Sequence, residues 1–332
     1  MSRAFVLAAR PDGEPKASDF EVCELDDGTP ADGEVLVRNV FVSVDPYMRG
    51  RMTGVRTYIP PYELGDVING ASVGRVVASK DPRFAPGDWV NSMLGWREAG
   101  VAPGDSLVPV DPAVAPPSTA LGVLGMPAFT AWIGLDEIGR IAEGETVFVS
   151  GAAGAVGSAA VQIALLRGCR VLGSAGSPEK VEWLRSLGVE AFDYRTADLK
   201  QALADGIDVY FDNVGGVQLE AALAALRTHG RVIACGGISR YNAVAAEPGP
   251  RNFFLVVTKR LRIQGFIIFD HNRRLPEFQA EVGAWVRDGK LAYRETIVDG
   301  FENLPKAFVG LFHGDNVGKM LVRVSPDDQP AG

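Results

Sequence analysis

A glycine turn between a predicted buried strand and a predicted helix is the feature that most constrains this chain. The strand covers Thr146 to Ser150, and the turn has the pattern A-x-G-x-x-G over Ala152 to Gly157. A helix follows, and a second strand, Arg170 to Gly173, completes a βαβ unit. In such units one glycine (here Gly154) lets the backbone approach a pyrophosphate, and another (Gly157) lets the helix pack close to its strand. We therefore interpret the turn as a dinucleotide site rather than a simple tight turn.

The residues after the second strand distinguish NAD from NADP. NAD sites usually carry an acidic residue about 20 positions after the turn, where it binds the ribose 2′-hydroxyl. Counting from Gly154 leads to Ser174, and no acid is nearby. Ser177 and Pro178 are typical of a helix N-cap and first helical position, so Lys180 points toward the place of a 2′-phosphate. The pattern favours NADP(H); the alternative for Lys180 is a solvated lysine of the first turn.

The predicted elements change character near residue 120. Before it, short strands separated by turn dipeptides predict a sandwich or barrel; the candidates are Glu34 to Ser43, Ala71 to Ser79 and Asp88 to Asn91. From Ala120 to Val298 strands and helices alternate, which indicates a doubly wound parallel sheet of the α/β class. Its further strand candidates are Asp208 to Asp212, Arg231 to Cys235 and Arg262 to Ile268. A final strand, Lys319 to Val324, is placed to return to the first domain.

Composition excludes several classes of protein. The net charge is −8, and a chain without a basic stripe is a poor nucleic-acid binder. No apolar run reaches the roughly 18 residues of a membrane span, so we expect no membrane partner and a cytoplasmic location. The three cysteines are far apart and there are three histidines, so we expect no metal site.

Several segments resemble one family. In sequence order they are Val44 to Arg49, Gly125 to Ala131, Gly151 to Ser158, Phe211 to Gly216, Cys235 to Asn242 and Gly314 to Lys319. Together the chain is similar to zinc-independent medium-chain dehydrogenase/reductases, in the leukotriene B4 12-hydroxydehydrogenase/prostaglandin reductase group. That group includes plant double-bond reductases and bacterial curcumin-type reductases. The alcohol dehydrogenase branch uses Cys and His zinc ligands in motifs that this chain lacks.

The resemblance implies a fold and an activity. It implies a GroES-like substrate domain at 1–119, completed by 299–332, and a Rossmann NADP-binding domain at 120–298. It also implies NADPH-dependent reduction of the C=C bond of α,β-unsaturated ketones or aldehydes, and a homodimer formed through the strand at 262–268. The expected partner is therefore a small enone. An NADPH:quinone oxidoreductase and a non-enzymatic NADPH-binding protein remain the alternatives.

The resemblance also implies the residues of the cofactor site. The pyrophosphate would contact Ala153, Gly154, Ala155, Val156 and, at the helix start, Gly157, whereas Lys180 and Tyr194 would hold the 2′-phosphate. The remaining expected cofactor contacts are Met126, Thr130, Ser174, Asn213, Cys235, Gly236, Ile238, Tyr241, Phe266, Ile267, Ile268 and Asn316.

Two tyrosines are the candidate catalytic residues. Hydride delivered to the β-carbon of an enone leaves negative charge on the carbonyl oxygen, which a hydrogen-bond donor stabilises. Tyr241 lies in a loop at a strand end, and the resemblance places Tyr47 in the cleft. Tyr58 and Tyr62 are weaker candidates, and any of the four has the alternative role of an interior aromatic residue with a satisfied hydroxyl. No histidine stands out as the acid for the α-carbon.

Overall fold

The computed structural model describes residues 1–326 and divides into two units. One unit contains Met1–Gly122 together with the described chain from Glu295 onward. The other contains Val123–Arg294. We call them the β unit and the nucleotide unit. Every helix in the described range is too short or too polar to cross a membrane.

Both units are built from short elements. Residues 1–326 form these strands: β1 (Ser2–Leu7), β2 (Phe20–Leu25), β3 (Glu34–Ser43), β4 (Ser72–Ser79), β5 (Trp89–Ser92), β6 (Ala99–Pro103), β7 (Val108–Val110), β8 (Thr146–Val149), β9 (Arg170–Ala175), β10 (Glu190–Asp193), β11 (Ile207–Asp212), β12 (Leu226–Ala234), β13 (Arg262–Gly265), β14 (Glu295–Asp299) and β15 (Lys319–Arg323). The α-helices of the same range are α1 (Tyr47–Arg51), α2 (Met126–Ile133), α3 (Ala155–Leu166), α4 (Pro178–Ser186), α5 (Leu199–Ala202), α6 (Gly216–Ala225), α7 (Leu255–Thr258), α8 (Leu275–Arg287) and α9 (Leu304–His313).

The nucleotide unit has a parallel six-stranded sheet. The strand order is β10-β9-β8-β11-β12-β13, which is the 3-2-1-4-5-6 order of doubly wound dinucleotide-binding sheets. The predicted α/β fold class is therefore confirmed. In such sheets ligands bind outside the carboxyl ends of the strands, where the strand order reverses. Here the reversal lies between β8 and β11, so the glycine turn after β8 is at that point.

The strand predicted over 262–268 is shorter than expected. It ends at Gly265, which pairs with Ala234, the last residue of β12. Because the neighbouring strand ends there, no ladder remains to extend β13. The chain continues at Ile268–Arg274 as a 3₁₀ helix, so this part of the strand prediction was wrong.

The core of the nucleotide unit lies around the centre of its sheet. Phe148 in β8 and Tyr210 in β11 are fully buried and stack with ring centroids 5.0 Å apart. Phe192 stacks on the other side of Phe148 at 5.8 Å. A buried aromatic stack of this kind is worth roughly 1 kcal/mol per pair beyond the area it buries. It fixes the registers of neighbouring strands and thereby the positions of the loops at their carboxyl ends.

The sheet of the β unit is completed by β14 and β15, which follow the nucleotide unit in the sequence. Its seven-stranded sheet has the path β14-β15-β3-β4-β5-β7, with β6 pairing β3, while β1 and β2 form a separate antiparallel pair. β15 is antiparallel to β3 and parallel to β14, so strands from both ends of the chain share one sheet. The core beneath them joins Phe20, Trp96 and Phe308 through ring contacts of 5.4 and 5.8 Å.

Candidate functional site

One position of the turn between β8 and α3 accepts only glycine. A Cβ atom on Gly157 would lie 2.2 Å from the carbonyl oxygen of Gly151, far inside van der Waals contact. The helix can therefore approach its strand only because this side chain is absent. At Gly154 a Cβ would lie 3.3 Å from the same oxygen, so a side chain there is crowded but not excluded.

Helix α3 begins without a side-chain cap. Gly154 is its N-cap residue, in an extended conformation, and within residues 1–326 no side-chain cap bond is made to the first-turn N–H groups. The first N–H groups of a helix have no partner within the helix. An anion bound at this end would accept hydrogen bonds from these N–H groups, and the helix dipole would also stabilise its negative charge. The backbone from Ala153 to Gly157 therefore fits a pyrophosphate group.

The end of β9 has no acidic side chain directed at a ribose. Ser174 is fully buried, and its hydroxyl donates to the side-chain oxygen of Gln218 at 2.6 Å. Ser174 is thus occupied inside the protein. The predicted cap is confirmed: Ser177 is the N-cap of α4, and its hydroxyl accepts from the backbone N–H of Lys180 at 3.4 Å.

A tyrosine and an arginine pack against the loop that precedes α4. A Cβ on Gly176 would lie 3.1 Å from the ring of Tyr194 and 3.3 Å from Nε of Arg195. The backbone N–H of Tyr194 donates to Ala175 at 3.1 Å, which holds this segment beside the end of β9. Lys180 belongs to the first turn after the same loop. The structure therefore brings Gly176, Tyr194 and Arg195 together, and Arg195 was not among the residues predicted from the sequence.

A buried hydrogen-bond network organises the end of β11. One carboxylate oxygen of Asp212 accepts from the Tyr210 hydroxyl at 2.7 Å and from the N–H groups of Val214 and Gly215 at 3.0 and 2.7 Å. The side chain of Asn213 donates to the Ser150 carbonyl at 2.8 Å. Burial raises the pKa of the Asp212 carboxyl. This network fixes the loop that contains Asn213, and no local sequence pattern predicts it because its partners are about 60 positions apart in sequence.

The loop after β12 folds against that network. The N–H groups of Cys235 and Gly236 donate to the Asp212 carbonyl, and Ile238 donates to the Asn213 carbonyl at 3.3 Å. The Tyr241 hydroxyl accepts from the N–H of Gly237 at 3.3 Å. Burial raises the pKa of the Tyr241 phenol, so it keeps a proton that it can donate. Burial likewise raises the pKa of the Cys235 thiol to about 12, which keeps it uncharged.

Tyr47 is the first residue of α1 in the β unit. Its ring is half-buried against the aromatic core, and its hydroxyl has no hydrogen-bond partner within residues 1–326. Burial, followed by the charge of Asp45, raises the pKa of this phenol well above its ordinary value. The neighbouring Tyr62 differs, because its hydroxyl donates to the Asn69 carbonyl at 2.7 Å. Of these two phenols, Tyr47 is the one with an uncommitted donor.

The other residues predicted to contact the cofactor lie in α2, directly after β13 and before β15. Thr130 donates to the Met126 carbonyl within α2 at 2.8 Å. Phe266, Ile267 and Ile268 are half-buried directly after β13, and Phe266 meets His271 edge to face. Asn316 lies in the β unit, where its amide donates to the Gly318 carbonyl at 2.7 Å and closes the turn before β15.

No group of three or more His, Cys, Asp or Glu side chains among residues 1–326 is arranged to hold a metal ion.

Comparison with known proteins identifies relatives along nearly the whole chain. The family model described as "N-terminal domain of oxidoreductase" matches residues 3–110, and the one described as "Zinc-binding dehydrogenase" matches residues 155–283. The NADPH-dependent curcumin reductase of Escherichia coli is 46% identical, covering 98% of each chain. The NADP(+)-dependent 2-alkenal reductase of Nicotiana tabacum is 42% identical, covering 94% of each.

A solved structure agrees with these relatives. Vibrio vulnificus CurA in complex with NADPH superposes with a TM-score of 0.92 at 43% identity, covering 98% of this chain and 99% of CurA. Identity of this size over whole chains, together with the parallel sheet order, confirms the resemblance drawn from the sequence motifs. The chain therefore belongs to the zinc-independent medium-chain dehydrogenase/reductases, in the group that includes the curcumin and 2-alkenal reductases.

Proposed function

We propose that this protein is an NADPH-dependent enzyme that reduces the C=C bond of α,β-unsaturated ketones and aldehydes. The observation that carries the proposal is the glycine turn: its uncapped helix N-terminus fits a pyrophosphate, and no acid at the next strand end selects NAD. The substrate class is supported by two relatives, a curcumin reductase and a 2-alkenal reductase, that share over 40% identity across the chain.

The residues that would hold NADPH fall into two groups. The pyrophosphate would lie on the backbone of the turn, from Ala153 to Gly157. Lys180 and Tyr194 would bind the 2′-phosphate, and the guanidinium of Arg195, beside Tyr194, adds a third donor with a fixed positive charge. We assign the ribose and nicotinamide to the remaining predicted contacts except Ser174, which is buried and bonded to Gln218, and above all to Asn213 and the Cys235–Tyr241 loop.

Bound NADPH supplies a hydride, and the side chains must stabilise the charge that develops on the substrate. When the β-carbon of the enone receives the hydride, electron density moves to the carbonyl oxygen. A neutral hydroxyl directed at that oxygen is worth roughly 3 kcal/mol. Tyr241 and Tyr47 are the donors that we assign to this role, because burial keeps both phenols protonated. We assign the proton that reaches the α-carbon to solvent.

The experiment that tests this function measures both the loss of the C=C bond of the substrate and the position to which the hydride is transferred. The protein is incubated with NADPH and an alkenal, with a quinone, or with no acceptor, and consumption of NADPH is recorded. With cofactor deuterated at the transferred position, we expect a saturated product that carries deuterium on its β-carbon. Turnover with the quinone alone would favour a quinone reductase, and no turnover with any acceptor would favour a non-enzymatic NADPH-binding protein.

We further propose a homodimer that works in the cytoplasm. β13 is the edge of the parallel sheet, and its residues Ile263 to Gly265 are exposed. An exposed edge strand is a template for pairing with another chain, here a second copy. The three cysteines are all unpaired, which suits a reducing compartment. Light scattering at several concentrations should give twice the chain mass; a monomer throughout would contradict the dimer.

A further inference from the structure

A lysine from the end of the chain is buried beside the segment that carries Tyr47. Lys319, the first residue of β15, is 4% exposed. Its ammonium group lies 3.2 Å from the carboxylate of Asp45 and donates to the carbonyls of Val44 and Met320 at 3.0 and 2.8 Å. The ammonium group therefore makes two hydrogen bonds and one ion pair within the β unit.

This arrangement is unfavourable unless every partner is in place. Burying an ammonium and a carboxylate removes both from water, and the penalty is several kcal/mol per ion before the pair forms. Apolar residues of similar volume often give equal or greater stability. Stability alone is thus a weak explanation for Lys319 and Asp45, and the geometry that the pair imposes is the better one.

Asp45 connects the ion pair to helix α1. Its second carboxylate oxygen accepts from the Ser43 hydroxyl, and its backbone carbonyl accepts from the N–H of Met48 at 3.1 Å. The residue therefore ends the strand segment and closes the first turn of the helix at the same time. In the sequence Tyr47 lies between Ser43 and Met48, the two residues that donate these hydrogen bonds to Asp45.

Helix α1 does not fix its own position. It has five residues, fewer than an isolated helix needs to be stable, so its placement depends on tertiary contacts. On its other side, a Cβ on Gly70 would lie 2.4 Å from the methyl carbon of Met48 and 3.8 Å from the Tyr47 hydroxyl. The side chains of Met48 and Tyr47 therefore occupy the space beside Gly70, and Asp45 makes the tertiary contacts at the start of the helix.

The strand register explains why Lys319 reaches this point. The ladder between β15 and β3 pairs Leu321 with Ser43. Lys319 precedes the ladder by two residues, and Val44 and Asp45 follow it on the opposite strand. The side chain thus bridges the two chains where their backbone pairing stops.

We propose that Lys319, acting through Asp45, is the positioning residue that sets the Tyr47 hydroxyl for stabilising the substrate oxygen. This inference rests on the function proposed for Tyr47. If the inference holds, the reaction depends on Lys319, a residue of β15 to which we assign no contact with cofactor or substrate.

The test is a double-mutant cycle between Lys319→Met and Tyr47→Phe, with kcat and KM for an enone measured at saturating NADPH. If Lys319 acts through Tyr47, Lys319→Met lowers kcat by about tenfold in the parent chain and by less than about twofold in the Tyr47→Phe background. The Kd for NADPH stays within about twofold in all variants, because the turn and Lys180, which we assign to its phosphates, belong to the nucleotide unit and Asn316 keeps its own bond to the Gly318 carbonyl.

Two further variants separate positioning from lost stability. Lys259→Met removes a lysine whose ammonium also donates to three carbonyls, those of Leu223, Ala224 and Leu226, in the nucleotide unit. It should lower Tm and leave kcat unchanged. Ser43→Ala removes one contact to Asp45 and keeps the ion pair, so it provides a milder test if Lys319→Met does not fold. It should lower kcat by a few-fold, again only when Tyr47 is present.

The outcomes distinguish two failures. If Tyr47→Phe leaves kcat unchanged, the role proposed for Tyr47 is wrong and the positioning inference fails with it. If Tyr47→Phe lowers kcat but the Lys319 and Ser43 variants reduce it equally in both backgrounds, Tyr47 keeps its role and Lys319 does not position it.

Discussion

Replacing Gly157 with alanine should destabilise the nucleotide unit, whereas the same change at Gly154 should weaken cofactor binding. At Gly157 the new Cβ would be 2.2 Å from the Gly151 carbonyl oxygen, so α3 must move by about 1 Å from its strand. Overpacking of this kind typically costs about 1–3 kcal/mol. In a unit of this size that corresponds to a fall in Tm of roughly 2–12 °C.

At Gly154 the corresponding Cβ would be 3.3 Å from the same oxygen, and the backbone angles suit alanine. The loss of stability there should be about 0.5 kcal/mol or less. The methyl group nevertheless lies at the proposed pyrophosphate surface, where glycine allows close approach. We therefore expect the Kd for NADPH to rise by about tenfold, which is about 1.4 kcal/mol.

The assay is a thermal melt of each variant without cofactor, followed by titration with NADPH. The matched pair separates a structural glycine from a ligand-binding glycine within one turn. A Tm for Gly157→Ala equal to that of the parent chain would refute the steric reasoning. A Kd for Gly154→Ala equal to that of the parent chain would refute the placement of the pyrophosphate.

Three further predictions concern the cofactor and the phenols. Lys180→Ala should raise the Kd for NADPH by about tenfold or more and leave that for NADH nearly unchanged, since a charge-assisted contact to phosphate is worth roughly 1.5–3 kcal/mol; equal effects on both cofactors, or the same loss with Lys200→Ala, would contradict the phosphate role. Tyr241→Phe should lower kcat for an enone by about a hundredfold while the Kd for NADPH changes by less than about twofold, as measured by steady-state kinetics and cofactor titration. Because burial raises the pKa of Tyr47 and Tyr241, the folded state keeps their protons above about pH 10 whereas the unfolded chain loses them. The free energy of unfolding should therefore fall as the pH rises past about 10, by less in the double Tyr→Phe variant, and kcat should show no alkaline decline below that pH.

Local sequence signals predicted the parts of the fold that depend on neighbouring residues. Buried apolar runs predicted β8 and β11, and Ser177 with Pro178 predicted the start of α4. These signals are local because strand burial and helix capping involve side chains within a few positions of each other. The glycine turn was predicted for the same reason.

Other elements carry weak local signals. β2 mixes exposed glutamates with apolar residues, and it pairs with β1, whose residues are mostly buried. Directly after α2 the chain continues as a π-helix at Gly134–Gly139. A Cβ on Gly134 would lie 2.6 Å from the Phe211 ring. That segment is shaped by contact with β11, about 80 positions away in sequence, so no local pattern predicts it.

The candidate site shows the same division. Its glycines, Lys180 and the two tyrosines were predicted from motifs and from the family resemblance. Asp212 and Lys319 were not, because each is defined by partners far away in sequence: Ser150 for the first and Asp45 for the second. A single sequence does not reveal which buried charges meet.

The position of β15 also constrains how this protein is made. The strand lies between β14 and β3, so the sheet that begins with β3 is completed only by residues that follow the nucleotide unit. A chain leaving the ribosome can close the nucleotide unit first, because residues 123–294 are all present before β15 emerges. Until then the end of β3, from Phe41 to Ser43, lacks its partner strand, and the nascent β unit exposes the apolar side of an unfinished sheet. Translation that stops before residue 319 would therefore release a chain whose nucleotide unit is folded and whose incomplete β unit is prone to aggregate.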